Sequence, residues 1–99
     1  MLAINGTFKQ NLGKVEGDNA HGHWTRGGFI VEYGEEFSRK AQFSVMGDER
    51  VKMVESIPIG CPVQVDFVIE SREFNGKWYT DLRCTKISII QPQYQYIQQ

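Results

Sequence analysis

The chain has few cysteines, no long apolar run and almost no net charge, and each shortage narrows the class of protein. Two cysteines in 99 residues fit a cytoplasmic chain with reduced thiols, with a Cys61–Cys84 disulfide as the alternative. No segment approaches the roughly 20 apolar residues of a membrane span, so we expect no membrane partner. The first residues lack the apolar core of a secretory signal, which also favours a cytoplasmic location.

The formal net charge of −1 argues against a strongly basic nucleic-acid binder, because phosphate contacts dominate that kind of affinity. It does not exclude nucleic acid, since the distribution of charge matters more than its sum. Acidic residues concentrate in two segments, 32–36 and 48–55, whereas basic residues are spread along the chain. A length of 99 residues indicates one small domain.

Residues 61–89 carry the clearest pattern in the chain, which is two long strands joined by a tight turn. The turn is Asn75-Gly76, and both residue types accept the positive φ angles of a type I′ turn. The first arm alternates apolar and polar side chains, and this period of two predicts a strand with one buried face. The apolar positions of that face are Val63, Val65, Phe67 and Ile69.

Three more strands and one helix are predicted before this hairpin. They are a strand from Leu2 to about Val15, a polar and mobile loop over 16–23, a strand over Trp24–Tyr33, a strand over Arg39–Met46 and a helix near Asp48–Ile57. Asp48 is the expected N-cap of the helix, and Val51, Val54 and Ile57 repeat at helical spacing. On the first strand, the predicted apolar face consists of Leu2, Ile4, Phe8 and Leu12.

The order strand, strand, strand, helix, strand, strand predicts an all-β fold with one helix. Long curved strands in under 100 residues fit a five-stranded Greek-key barrel of the OB type, with the helix between strands three and four. Gly6 and Gly13 suit the bends that a closed barrel requires of its first strand. A half-open α+β sheet is the alternative. Residues 1–90 form the predicted domain, and 91–99 form a Gln/Tyr-rich tail that is weakly ordered or docks on a partner subunit.

No pattern in the chain indicates catalysis. His21 and His23 lie in the predicted loop and form a weak metal signal with Cys61 and Cys84, because zinc requires four ligands in defined geometry. No spacing brings a nucleophile to a base, and no glycine loop cradles a phosphate. We therefore expect no enzymatic activity, no metal and no cofactor.

Aromatic and basic residues crowd the tip of the hairpin, and this combination suits single-stranded nucleic acid. Phe74 points outward beside Arg72 and either stacks on a base or closes a cluster with Trp78. Trp78 shares its parity with Leu82 and Cys84, which favours a structural role. The predicted binding residues are Trp24, Arg26, Lys40, Met46, Arg72, Phe74, Lys77, Trp78, Tyr79, Arg83 and Lys86.

Three motifs give the chain a family resemblance. Residues 43–48, which lead into the helix, residues 59–65 and the strand Tyr79–Leu82 resemble bacterial single-stranded DNA-binding protein. The hairpin block 70–81 more closely resembles a small family of short bacterial proteins of unknown function, regarded as OB-folds. The primosomal replication protein is a further parallel. The resemblance implies homo-oligomers and base stacking, with Phe74 at the position of a stacking tryptophan and with Met46 and Lys40 near two other stacking positions.

These observations predict a non-catalytic OB-fold protein that binds single-stranded DNA with little sequence preference, in DNA replication or repair, as a homodimer or homotetramer. Single-stranded RNA is the alternative ligand. The rival interpretation is a protein-interaction module without nucleic-acid affinity, which the near-neutral charge favours. A third interpretation, an oligosaccharide-binding module, uses Trp24 and Trp78 as sugar platforms.

Overall fold

The strands and the helix follow the predicted order in a computed structural model, which describes residues 2–90. The elements are β1 (Leu2–Asn19), β2 (Gly22–Tyr33), β3 (Arg39–Met46), α1 (Asp48–Glu55), β4 (Pro62–Phe74) and β5 (Lys77–Ile89). The strands close into a barrel in the order β1-β2-β3-β5-β4. This is the predicted OB-fold, with its helix between β3 and β4. The predicted tail, 91–99, lies outside the described residues.

The barrel closes because β1 bends and pairs with two neighbours in turn. Its first residues pair with β4, from Leu2 opposite Phe67, and its later residues pair with β2. Register shifts interrupt the β1–β2 ladder near Phe8 and between Asn11 and Lys14. Gly13 lies in the second shift with a φ of 88°, where a side chain would be strained. The predicted bend at this glycine is therefore present.

A column of phenylalanine rings fills the barrel. Phe8 and Phe29 stack with ring centroids 5.6 Å apart, and Phe29 and Phe43 follow at 5.4 Å. Phe67 meets Phe43 edge-on at 5.2 Å. Such rings contribute about 0.5–1.5 kcal/mol per pair beyond the area they bury. Helix α1 packs on this core through Val51 and Val54, and Ile57, which follows the helix, is also buried.

The first loop is shorter than predicted. Instead of a mobile segment over 16–23, β1 runs to Asn19 and β2 begins at Gly22, which pairs with it. The side-chain carbonyl of Asn19 accepts a hydrogen bond from the backbone N–H of His21 at 2.8 Å. Gly22 supplies a φ of 114°. Because the turn is this tight, the polar residues on either side of it pair as strands. The polar, glycine-rich composition of the segment does not indicate this pairing.

The predicted N-cap of the helix is wrong by one residue. Gly47 occupies that position and no side chain caps the helix. Asp48 lies in the first turn, and its carboxylate accepts a hydrogen bond from the hydroxyl of Thr25. Thr25 is only 3 % exposed, so its hydroxyl requires a hydrogen-bond partner within the protein. The Asp48 carboxylate therefore bonds to Thr25 instead of capping the helix as its sequence position predicted.

The buried face of β4 ends earlier than predicted. Val63, Val65 and Phe67 are buried, but Ile69 is 54 % exposed because β1, as described from Leu2, begins opposite Phe67 and does not cover the strand beyond it. On β1, Leu2 and Leu12 are also exposed, contrary to their predicted inward face. The bulge after Phe8 changes which side chains point inward and so turns Leu12 outward, whereas Leu2 precedes both bulges and is exposed at the end of the strand.

Both cysteines are free, so the alternative disulfide is not formed. Cys84 is buried in β5 opposite Phe67, whereas Cys61 lies just before β4. Burial raises the pKa of the Cys84 thiol to about 11. Among the described residues, no helix has the length and apolar character needed to cross a membrane.

The phenylalanine column generates a stability prediction. Phe43→Ala should lower the free energy of unfolding by about 3–5 kcal/mol, because it leaves a cavity between the rings of Phe29 and Phe67. Urea unfolding followed by circular dichroism measures the change. Phe37→Ala is the matched control, since Phe37 is 70 % exposed and should shift stability by about 0.5 kcal/mol or less. Equal losses would show that the column is not the main source of stability.

Candidate nucleic-acid interface

Two long hairpins extend from opposite ends of the barrel. Strand β4 runs antiparallel to β1, so the β4–β5 hairpin leaves the barrel beside Leu2 while the β1–β2 hairpin leaves at the other end. The molecule is accordingly 59 Å long but only 31 and 23 Å across. The outer face of β2 and β3 lies between the hairpins. In OB-folds, this face and the loops that join β1 to β2 and β4 to β5 form the ligand groove.

A groove of about 400 Å³ crosses this outer face. Its floor contains Gly27 and Gly28, but only Gly28 lacks a side chain on this face, because a Cβ at Gly27 would point inward, 3.4 Å from Val45 Cγ1 and 3.6 Å from Val51 Cγ2. A Cβ at Gly28 would lie 3.2 Å from the carbonyl oxygen of Phe43 and 3.5 Å from Leu12 Cδ1. The missing side chain at Gly28 therefore leaves the outer face of the sheet bare at this point, beside Leu12. The groove is lined by Leu12, Gly13, Val15, Arg26, Gly27, Gly28, Gln42, Phe43, Ser44 and Asp81.

Three predicted residues gather at the end of the groove near the β1–β2 hairpin. The Trp24 ring packs against Gly17, where an added Cβ would come within 2.5 Å of it. The guanidinium carbon of Arg26 lies 5.9 Å from the centre of the Trp24 ring, a cation–π distance. Met46 is paired with Arg26 across the β2–β3 ladder and is exposed. A half-buried ring, a cation and a soft apolar side chain are thus combined at one site.

Asp81 connects this groove to the β4–β5 hairpin. Its carboxylate accepts a 2.9 Å hydrogen bond from the hydroxyl of Ser44, next to the pair Ser44–Arg83 that joins β3 to β5. Asp81 lines the groove and also a second hollow of about 450 Å³ on the hairpin, with Arg72, Phe74, Tyr79 and Thr80. The two hollows therefore form one continuous surface.

The outer face of the hairpin brings four predicted residues together. Cross-strand pairing sets Arg72 opposite Tyr79 and Phe74 opposite Lys77, and paired residues share a face of the sheet. Phe74 is 64 % and Tyr79 53 % exposed. Two accessible rings therefore lie beside two cations on the side of the hairpin that meets the groove.

Trp78 lies on the opposite face of the hairpin, opposite Glu73. It shares that face with Leu82 and Cys84, as its parity predicts, but it is 69 % exposed, so the predicted structural role is wrong. The alternative in which Phe74 and Trp78 form one cluster is also wrong, because their side chains point to different sides of the sheet.

The structure does not gather the remaining predicted cations at the groove. Arg83 forms an ion pair with Glu70 at 2.7 Å. Lys40 is paired with Glu32, whose pKa is lowered by a hydrogen bond from Ser38 and by the charges of Lys9 and Lys40. Lys86 lies opposite Asp66 and lines a separate hollow beside α1. Each of the three has an acidic residue as its ion-pair or cross-strand partner.

Two parts of this surface were not predicted from the sequence, and they are the glycines of the groove floor and Asp81, the residue shared by the two hollows. Gly27-Gly28 inside a strand pattern is a signal for close backbone approach, although it is no phosphate loop. Gln42 and Ser44 also line the groove, on the strand face that period-two alternation assigns to Lys40 and Met46, but they are not among the predicted binding residues. No sequence signal indicates Asp81, because its role depends on β3 meeting β5.

The histidines do not meet the cysteines as the weak metal signal required. The two ring nitrogens of His23 lie 3.2 Å from Asp18 and 3.2 Å from Glu16. The carboxylate of Asp18, followed by that of Glu16, raises the pKa of His23. Ligand atoms of Glu16, His23 and Asp48 lie within 4.8 Å of one another on the exposed surface. Attraction between the exposed His23 ring and the neighbouring carboxylates accounts for this cluster.

A family model described as a domain of unknown function (DUF3127) matches residues 3–88. The chain belongs to this family. This confirms the predicted resemblance to a family of unknown function. No curated protein matches the chain.

Solved structures with the same fold include two described as single-stranded DNA-binding proteins. The mitochondrial protein of S. cerevisiae has a TM-score of 0.68 at 13 % identity, with coverage of 93 % of this chain and 96 % of that one. The second such protein of Mycobacterium smegmatis has a TM-score of 0.62 at 16 % identity, with coverage of 99 % and 97 %. At these identities, the likeness shows the fold.

A third solved structure is the N-terminal domain of PriB from Thermoanaerobacter tencongensis, described as dimeric. Its TM-score is 0.60 at 15 % identity, and the match covers 92 % of this chain and 96 % of that one. This likeness is the predicted parallel with the primosomal protein at the level of the fold.

The Ser44–Asp81 hydrogen bond generates a second stability prediction. Ser44→Ala should lower the free energy of unfolding by about 1 kcal/mol, because it removes a half-buried bond at the β3–β5 junction. Ser88→Ala, on the exposed part of β5, is the matched control and should change stability by about 0.5 kcal/mol or less. Urea unfolding of both variants measures the difference. Identical midpoints would mean that this bond does not stabilise the junction.

Proposed function

We propose that this protein binds single-stranded DNA without catalysis, along the groove and the outer face of the β4–β5 hairpin. The observation that carries the proposal is their continuity through Asp81, which joins the glycine floor to the exposed rings of Phe74 and Tyr79. Solved proteins with the same fold that are described as single-stranded DNA-binding support this function. A homo-oligomer in the cytoplasm, acting in replication or repair, is the biological setting we propose.

The binding energy comes mainly from stacking. Base–aromatic stacking is worth about 1–3 kcal/mol per base and tolerates any sequence, because every base has a flat face. Phe74 and Tyr79 offer such surfaces at one end, and Trp24 offers a half-buried ring at the other. Little sequence preference follows, and RNA, which carries the same bases, should also bind.

Phosphate contacts add a smaller, salt-dependent part. Arg72 and Lys77 flank the hairpin rings, and Arg26 lies beside Trp24. Asp81 lies between these cations on the same surface and weakens the field along the groove. Affinity should therefore be modest and should fall with ionic strength. Lys40 and Arg83 lie at the margin, next to Glu32 and Glu70.

Trp78 and Ile69 support a second candidate function, a protein-interaction module. Both are more than half exposed on the hairpin face that points away from the groove. An exposed tryptophan is a common anchor of protein interfaces. The oligosaccharide interpretation has less support, because Trp24 and Trp78 lie on hairpins at opposite ends of the molecule and do not form one platform.

A pair of alanine variants tests the proposed face. Phe74→Ala should raise the Kd for labelled oligo-dT at low salt by roughly 5- to 150-fold, which corresponds to the loss of one stacked base. Trp78→Ala is the matched control on the opposite face and should change the Kd by less than about twofold. Fluorescence anisotropy measures both.

Each result has a different meaning. If the native chain shows no binding at low salt, DNA binding is wrong and the interaction module is favoured. If Trp78→Ala weakens binding as much as Phe74→Ala does, the protein binds DNA but the assigned face is wrong.

The salt dependence of binding tests the phosphate contacts. Replacing Arg72 and Lys77 by Gln should reduce the slope of log K against log salt by roughly 1.4, since each contact with a single strand contributes about 0.7. The control replaces Lys52 and Lys86 by Gln, which removes the same charge from outside the groove. A steeper loss in the control would place the strand on the α1 side.

A further inference from the structure

Within the described residues, one edge of the β4–β5 hairpin is open along its outer half. Strand β4 pairs with β1 only as far as Phe67, opposite Leu2. From Val68 to Phe74, the strand that pairs with β4 within residues 2–90 is β5. A hollow of about 700 Å³ lies along this edge, lined by Ile69, Glu70, Ser71, Arg72 and Arg83. Unpaired strand edges are templates for another strand.

The turn determines which backbone groups face the open edge. Asn75 and Gly76 have φ angles of 53° and 80°, as in a two-residue type I′ turn, so the flanking pair Phe74–Lys77 exchanges hydrogen bonds. Hydrogen-bonded pairs alternate along the ladder. Even-numbered residues of this half of β4 therefore bond to β5, and odd-numbered residues direct their N–H and C=O outward. The outward residues are Ile69, Ser71 and Glu73.

The open edge is self-complementary about Ser71. It spans residues 68–74, of which Ser71 is the middle. In an antiparallel pair with a second copy, related by a two-fold axis through Ser71, each Ile69 meets the other copy's Glu73 and the two Ser71 residues meet. These are the residues whose backbone groups face outward, so each of these pairs exchanges two hydrogen bonds.

The side chains favour the same register. The pairs without mutual hydrogen bonds bring side chains closest together, and here they are Glu70 with Arg72 and Val68 with Phe74, each formed twice. Moving the centre by one residue would set Arg72 against Arg72, or Glu70 against Glu70. Like charges directly opposite destabilise a sheet, so one register is selected.

We propose that a second copy of this chain pairs with the open edge of β4, from Val68 to Phe74, and forms a four-stranded sheet in the order β5-β4-β4-β5. The pairing leaves both faces of the hairpins accessible. It places Arg72, Phe74 and Tyr79 of the two copies on the same side of one sheet. The surface proposed for DNA is then doubled, but the pairing stands on the edge geometry and is tested without DNA.

Charge reversal tests the register. In Arg72→Glu the introduced acid of each copy faces Glu70 of the other, and in Glu70→Arg the introduced base of each copy faces Arg72 of the other, so each variant should halve the mass of the native assembly. An equal mixture of the two variants should restore it as a mixed dimer, because every facing pair is again Arg with Glu. Sedimentation equilibrium measures the masses, and a fluorescent label on one variant reports the mixed species.

Two controls separate the interface from folding. Lys52→Glu is the same kind of charge reversal on α1 and should leave the assembly mass unchanged. Glu70 also pairs with Arg83, so circular dichroism must show that Glu70→Arg remains folded. Restoration on mixing is itself a control, because a distorted hairpin would not recover by meeting a second variant.

Three outcomes would overturn the pairing. They are a native chain that stays monomeric at every concentration, single variants that keep the native mass, and a mixture that forms no mixed dimer. None of them bears on whether the groove binds DNA, which the oligo-dT titration measures separately.

Discussion

Closure of the barrel at one short junction is the constraint on which the rest of the structure depends. Strands β3 and β5 meet in parallel at Ser44 and Arg83, and the Ser44–Asp81 hydrogen bond holds the same point. The junction brings Phe43 against Phe67 and so completes the ring column of the core. It also determines where the β4–β5 hairpin leaves the barrel, and therefore which of its faces adjoins the groove.

The outer half of that hairpin is longer than the core needs. Beyond Phe67 it has no third strand within the described residues, and a two-stranded ribbon is marginally stable by itself. It nevertheless carries Ile69, Phe74 and Trp78, all more than half exposed. Large apolar groups on such a ribbon cost stability unless something covers them, which is why we interpret the ribbon as a binding element rather than as part of the core.

Local rules in the sequence were sufficient for most of the fold. Period-two alternation, the Asn75-Gly76 turn and the helical spacing of Val51 and Val54 each depend on neighbouring residues alone, and the structure has all three. The errors occur where a distant element decides. Ile69 is exposed because β1 begins opposite Phe67 and does not reach it, and Asp48 bonds to Thr25 rather than capping its helix. The aromatic and basic residues of the candidate site were predictable from the sequence. The position of Asp81 between the two hollows was not, because it depends on the contact of β5 with β3.

The near-neutral charge of the chain and its open edge are related. A strongly basic ribbon would attract phosphate more strongly, but it would repel a second copy of itself. Glu70 and Arg72 offset each other on one face of the edge, and their alternation permits one register of self-pairing while disfavouring its neighbours. Stacking surfaces can tolerate this neutrality, because a ring attracts a base whatever the local charge. A chain that combines paired charges with exposed rings can therefore associate with itself and still hold a single strand.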